Sequence, residues 1–202
     1  MARGLADVRL RVWAPEGSQV RFVRQVAPQL DDLTGRGIAV SPLIREFPTG
    51  AWADESRDYH VAVRLPAKSV GQEQLASRVQ VVVRDAVQAQ ALVKATWSGD
   101  ESLTTRIDDQ VARYTGQAEL AAAIQDGLAA KAAGDEDGAT RKLGRAVQIA
   151  TQTGDEEMTS RLKKVVEIDN AETGTVRLKK AVEKLDEMAL DTASTKTRRV
   201  KK

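Results

Sequence analysis

The sequence predicts an α+β chain, with an N-terminal antiparallel β-sandwich followed by a small C-terminal helical bundle. Three observations predict it. All seven aromatic residues (Trp13, Phe22, Phe47, Trp52, Tyr59, Trp97 and Tyr114) lie in the first 114 of 202 positions. Within that half, apolar and polar residues alternate in short runs separated by turn residues, the period of half-buried strands. After Tyr114 the apolar period becomes helical and the core residues become Ala, Leu and Val.

The elements follow in order. Val8-Arg9-Leu10-Arg11-Val12-Trp13 alternates strictly, so Val8, Leu10 and Val12 should face a core, and Trp13 falls on the arginine face, where it should cap an edge or lie under a loop. Pro15-Glu16-Gly17-Ser18 is a turn signal. Strands are predicted at Val20–Val23 and Ile38–Val40, and Phe47–Trp52 places two rings around a turn, as where a chain crosses between sheets. Tyr59–Leu65, Leu75–Val83 and Val87–Trp97 are the strongest runs, the last two reading as a hairpin with Val79, Val81 and Val83 inward. Several strands spaced by turns argue for a sandwich. Ser98-Gly99-Asp100 opens a connector, with one short helix between Leu103 and Tyr114.

Helical stripes then run through Leu120, Ile124 and Leu128; through Ala139, Leu143, Ala146, Val147 and Ala150; through Met158, Leu162, Val165 and Val166; and more weakly through Leu178, Val182, Leu185 and Ala189. Gly134-Asp135 and Gly154-Asp155 suit a helix stop followed by an N-cap. The expected organisation is a β-sandwich over 1–98, a connector over 99–116, a helical bundle over 117–190 and a basic disordered tail over 191–202.

Composition narrows the function. Net charge is +2, and residues 1–100 carry 13 basic against 11 acidic groups, so no whole-molecule field points to nucleic acid. There is no cysteine, which removes disulfides, thiolate metal sites and cysteine nucleophiles and suits a cytoplasmic, reducing compartment. No run of 18 apolar residues exists, so no membrane span is expected.

Each motif has a structural reading that outweighs a chemical one. Asp54-Glu55-Ser56-Arg57-Asp58 approximates a D-x-S-x-S metal loop, but Asp58 stands where Ser is required, so a polar loop entering the strand at Tyr59 is expected. Gly134-Asp135-Glu136-Asp137-Gly138 resembles the start of a calcium loop, but Ala146 occupies the position of the bidentate Glu. Gly174 belongs to no G-x-G-x-x-G or P-loop. His60 is the sole histidine, too few for a triad or a zinc site. The tail cations Lys196, Arg198, Arg199, Lys201 and Lys202 lack stacking aromatics and read as a solvated tail. No catalytic, cofactor-binding or metal residue is therefore assigned, and no cofactor is expected. Gly134, Ala139, Leu143, Ala146, Ala150 and Gly154 are spaced like the second helix of a tetratricopeptide unit, so a tetratricopeptide-like helix pair is expected within the bundle. Only one good copy exists, which favours a compact bundle over a peptide-binding solenoid.

Val8–Trp13, Phe22–Pro28, Pro48–Asp58 leading into Tyr59–Val63, Tyr114–Leu120, Gly154–Leu162 and Thr173–Leu178 together resemble the C-terminal half of actinobacterial proteins that contain a von Willebrand factor A domain. The order of these stretches carries the resemblance, which covers nearly the whole chain. It implies a β-sandwich plus helical region that supports, positions or partners a von Willebrand A domain lying upstream, whose metal-binding residues map to no position here. The function expected is a non-enzymatic scaffold or protein-interaction module, with a peptide-binding tetratricopeptide-like adaptor as the alternative. A protein partner is expected, no nucleic acid, and self-association or strand exchange through an unpaired sheet edge, placed at Val8–Trp13 because its neighbour would come from the upstream segment.

Overall fold

The computed structural model describes residues 4–197. The chain divides into two compact units, Met1–Ile107 and Asp108–Lys202. It has the mixed α+β architecture, with antiparallel sheets and a helical C-terminal region, that the sequence predicts.

In the β unit, β1 (Leu5–Trp13), β4 (Ile38–Ser41), β5 (Ile44–Trp52), β7 (Glu73–Val83) and β8 (Ala86–Thr96) form a five-stranded sheet in the order β4-β5-β1-β7-β8. A three-stranded sheet, β3-β2-β6, is made by β2 (Gln19–Ala27), β3 (Asp31–Asp32) and β6 (Asp58–Arg64). The sheets share one core. Leu10, Val12 and Phe47 of the large sheet meet Val23 of the small sheet and Leu33 from the loop after β3, with Val20, Tyr59, Val61, Val79 and Val81 packed around them. The alternation in β1 works as read: Val8, Leu10 and Val12 are buried, and Arg9 and Arg11 lie on the opposite face.

β1 is not an edge. It pairs antiparallel with β5 on one side and β7 on the other, so both neighbours come from later in this chain. Trp13 accordingly stands within the sheet, opposite Ile44 and Arg78, with the Arg78 guanidinium 5.7 Å over its ring. The Phe47–Trp52 stretch is no crossing between sheets. β5 runs through it, and Pro48 is tolerated because β4 ends opposite Glu46, leaving β5 paired on one side only. The turn between Pro48 and Trp52 is instead a kink at Gly50, where φ is +79°.

On the outer face of β1, one carboxylate joins two arginines. Glu46, 5% exposed, accepts from Arg9 Nη1 at 2.8 Å and from Arg11 Nε at 2.7 Å. Water cannot replace either partner at so buried a carboxylate. Glu46→Ala is therefore expected to cost the β unit about 2–3 kcal/mol, the range for hydrogen bonds to charged groups. Urea unfolding followed by tryptophan fluorescence checks this, since Trp13, Trp52 and Trp97 all lie in that unit.

In the helical unit, α2 (Asp109–Ala132) and α3 (Glu136–Thr153) pack as an antiparallel pair, and α4 (Glu156–Val165) follows. α1 (Glu101–Thr104) belongs to the other unit. The single helix expected between Leu103 and Tyr114 is thus split, because Asp108 caps a new helix by accepting from the Gln110 and Val111 amides. Both Gly-Asp pairs act as read. Gly134 and Gly154 take left-handed φ values of +79° and +68°, and Asp135 and Asp155 accept from the Gly138 and Met158 amides at 2.8 and 2.9 Å.

Beyond α4 the structure departs from the helical reading. Val166 and Leu178, expected on helical stripes, lie in a hairpin of β9 (Val166–Asn170) and β10 (Thr175–Leu178). Only then does α5 (Lys184–Thr195) begin. It continues through Thr195, so Asp191–Thr195, expected in the tail, are helical; Leu190 and Ser194 are buried there and hold the helix on its unit. Arg198, Arg199, Lys201 and Lys202 lie outside the described residues.

The helical core draws on every element: Leu120 and Ile124 of α2, Leu143 and Val147 of α3, Leu162 and Val165 of α4, Val166 and Val176 of the hairpin, and Leu190 of α5. The backbone comes closest at two glycines. A Cβ on Gly144 of α3 would lie 2.1 Å from the Gly174 carbonyl oxygen at the hairpin turn, and a Cβ on Gly174 would lie 2.4 Å from the Gly144 oxygen.

Candidate interaction surface

Arg57 and His60 make structural contacts. In the loop before β6, Arg57 donates to the Thr49 and Ala51 carbonyls at 2.7 and 2.8 Å, pairs with Glu55 at 2.6 Å and lies 5.2 Å over the Trp52 ring. This guanidinium ties the loop to β5. Trp52 in turn stacks on Tyr59, with centroids 6.2 Å apart. His60 stands opposite Arg24 across the β2–β6 ladder, and partial burial, with Arg24 adding to it, holds the imidazole below its ordinary range. Among the described residues no three His, Cys, Asp or Glu side chains converge as metal ligands. No helix among them is long and apolar enough to cross a membrane.

The helix pair of α2 and α3 is closed rather than grooved. Leu143 packs directly over Gly127, where an added Cβ would lie 2.7 Å away. The next element is the ten-residue α4 and then a hairpin, so among the described residues no second helix pair of the tetratricopeptide kind follows.

Several apolar residues stand open to solvent. The outward side of α5 exposes Leu185 at 71% and Met188 at 58%. A shallow hollow of about 450 Å³ in the β unit is lined by Val70, Trp97 and Leu103, with Lys68 Nζ 5.8 Å over the Trp97 ring. The most extended open feature is β8. Ten of its eleven residues are exposed, only Ala95 being partly covered. Among the described residues it is an edge strand, paired with β7 and with no other. Its register with β7 sets Ala89 beside Val81 and Ala91 beside Val79, so these alanines share the inner side of the sheet, yet the smaller sheet does not cover them. Leu92 and Gln90 project from the outer side, where Gln80 donates to Gln90 at 3.3 Å. The sequence showed this strand as a hairpin arm. Its solvent exposure was unreadable, because alternation states which residues share a side and not whether another layer covers them.

The comparisons agree with the resemblance read from the sequence. Residues 148–194 match the family described as von Willebrand factor type A C-terminal domain, a span running from the end of α3 through α4 and the hairpin into α5. The chain is similar to the structure of a von Willebrand factor type A protein from Catenulispora acidiphila, at 50% identity and a TM-score of 0.86 over 97% of this chain. It spans 47% of that protein's length. No curated protein matches. The chain is thus similar over nearly its whole length to part of a von Willebrand factor type A protein, and its residues 148–194 match the family described as the C-terminal domain of such proteins.

Proposed function

We propose that this chain is a non-enzymatic scaffold or protein-interaction module that supports or positions a von Willebrand A domain. One observation carries the reading: at 50% identity the chain accounts for 97% of itself and 47% of a von Willebrand factor type A protein, so the relative pairs this fold with as much polypeptide again. The character of the surface supports it. Arg57, Asp135, Asp155 and Glu46 serve loops, caps and a strand clamp, while a strand edge and apolar helix and loop residues stand open, the materials of protein contacts. No catalytic, cofactor or metal role is assigned to any residue, and the setting proposed is the cytoplasm, with no nucleic-acid partner.

The test uses the part of the Catenulispora protein that has no counterpart here. Expressed separately and titrated into the 202-residue chain by calorimetry, it is expected to bind with a dissociation constant on the order of micromolar, as for a transient domain contact. Absence of heat at millimolar concentration removes the reading. Turnover of a hydrolysable substrate by the chain alone also removes it.

A further inference from the structure

Edge strands are normally blunted by charge, proline, brevity, bulges or a covering element. β8 is eleven residues long, and from Ala86 to Val93 it contains no charge, no proline and no glycine. Val87, Leu92 and Val93 are 44, 59 and 49% exposed along it. The register with β7 leaves Gln88 of β8 and Ala76 of β7 without a directly facing residue, so β8 carries one bulge at Gln88 and is regular strand from Ala89 onward. Charge is confined to the ends and has opposite sign there. Asp85, with a fully exposed side chain that also meets Arg9 at 3.3 Å, stands at the turn, and Lys94 stands near the far end. Arg84 precedes Asp85, and Glu73 lies beside Thr96, accepting from its hydroxyl at 3.3 Å.

These ends are self-complementary only when reversed. A parallel copy would set Lys94 beside Lys94 and Asp85 beside Asp85. An antiparallel copy centred on Gln90 sets Lys94 opposite Ala86, one residue from the copy's Asp85. Both ends then gain opposite charges, and the two-fold relation supplies each contact twice. Within the regular stretch, Gln90 meets Gln90 and Ala89 meets Ala91.

We propose that β8 is a homodimerisation edge, pairing antiparallel with β8 of a second copy about Gln90 and joining two five-stranded sheets into one continuous sheet. This goes beyond support of a von Willebrand A domain and stands or falls separately from it.

Light scattering on the full chain across a dilution series is expected to show a dimer giving way to monomer. Gln90→Lys sets two ammonium groups face to face at the centre of the pair and is expected to leave a monomer with unaltered circular dichroism. The natural chain has no cysteine, so Gln90→Cys reads the register: facing Cα atoms about 4.5–5.5 Å apart lie within disulfide reach. It is expected to cross-link to itself under mild oxidant, while Gln80→Cys on β7 does not. A monomer at every concentration overturns the proposal. So does a dimer that survives Gln90→Lys, a dimeric Gln90→Cys that fails to cross-link, or a β8 that pairs only with a strand of another protein.

Discussion

Val147→Asp is expected to unfold the helical unit while the β unit stays folded. Val147 has no exposed surface and sits among Leu143, Leu162 and the other residues that close the helical core. An aspartate there finds no cation and no donor. The charge must be neutralised or water must enter, and either outcome costs on the order of 3–5 kcal/mol, the penalty of an uncompensated buried charge. A unit of about 90 residues whose core is built largely from Ala, Val and Leu has little stability in excess of that. The readouts separate cleanly, because all three tryptophans lie in the β unit. Far-ultraviolet dichroism should lose its helical signal and tryptophan emission should stay unchanged. Simultaneous loss of both signals would show that the chain unfolds as one cooperative body.

The second large effect is expected at Gly144. A side chain there meets backbone, not a flexible side chain: the Gly174 carbonyl oxygen lies 2.1 Å from an added Cβ. Gly144→Val must push the β9–β10 hairpin off α3, exposing Val176, which the hairpin buries against the helices. The expected loss is about 3 kcal/mol or more, at the top of the overpacking range because the obstacle cannot rotate away. Gly134→Ala is the control. It occupies open space at a left-handed φ of +79°, so it pays only the conformational cost of roughly 1–2 kcal/mol. Urea titration followed at 222 nm should rank Gly144→Val well below Gly134→Ala. Equal losses would mean that the hairpin is not seated on α3 as described.

How much of this was legible in the sequence differs by element. The strands of the β unit were readable because half-burial leaves a period of two in the residues themselves, as in Val8 to Val12. The caps at Asp135 and Asp155 were readable because their chemistry is local. The hairpin was not. Arg161-Leu162-Lys163-Lys164 and Arg177-Leu178-Lys179-Lys180 are the same tetrapeptide, yet the first is helical and the second ends a strand and enters a turn. What separates them is tertiary: Val176 reaches the helical core, and Lys179 donates its backbone amide to the Val165 carbonyl and its side chain to that of Lys163. The available signal was the alternation of Val166–Asp169 and Thr175–Leu178 about Thr173-Gly174, which the stronger helical period before it masked. The position of β1 was missed for a different reason. A strand's alternation says nothing of how many neighbours it has, and the partners of β1 lie far along the chain. The open surface of β8 was unreadable on similar grounds, since exposure depends on what the other sheet covers.

The central place of β1 bears on how the protein is made. β1 leaves the ribosome before either of the strands it pairs with. Its β5 partner at Phe47 follows much later, and its β7 partner at Val83 later still, since Val8 faces Val83 across the ladder. Until that residue has emerged, Val8, Leu10 and Val12 have no sheet to enter, and the loops they must close carry the entropic cost of long separation. The contacts of α2 with α3 join neighbours in sequence and need no such wait. During synthesis, then, the β unit is slower to complete than the α2–α3 pair even though it emerges before that pair, and within it β1 waits longest for its partners.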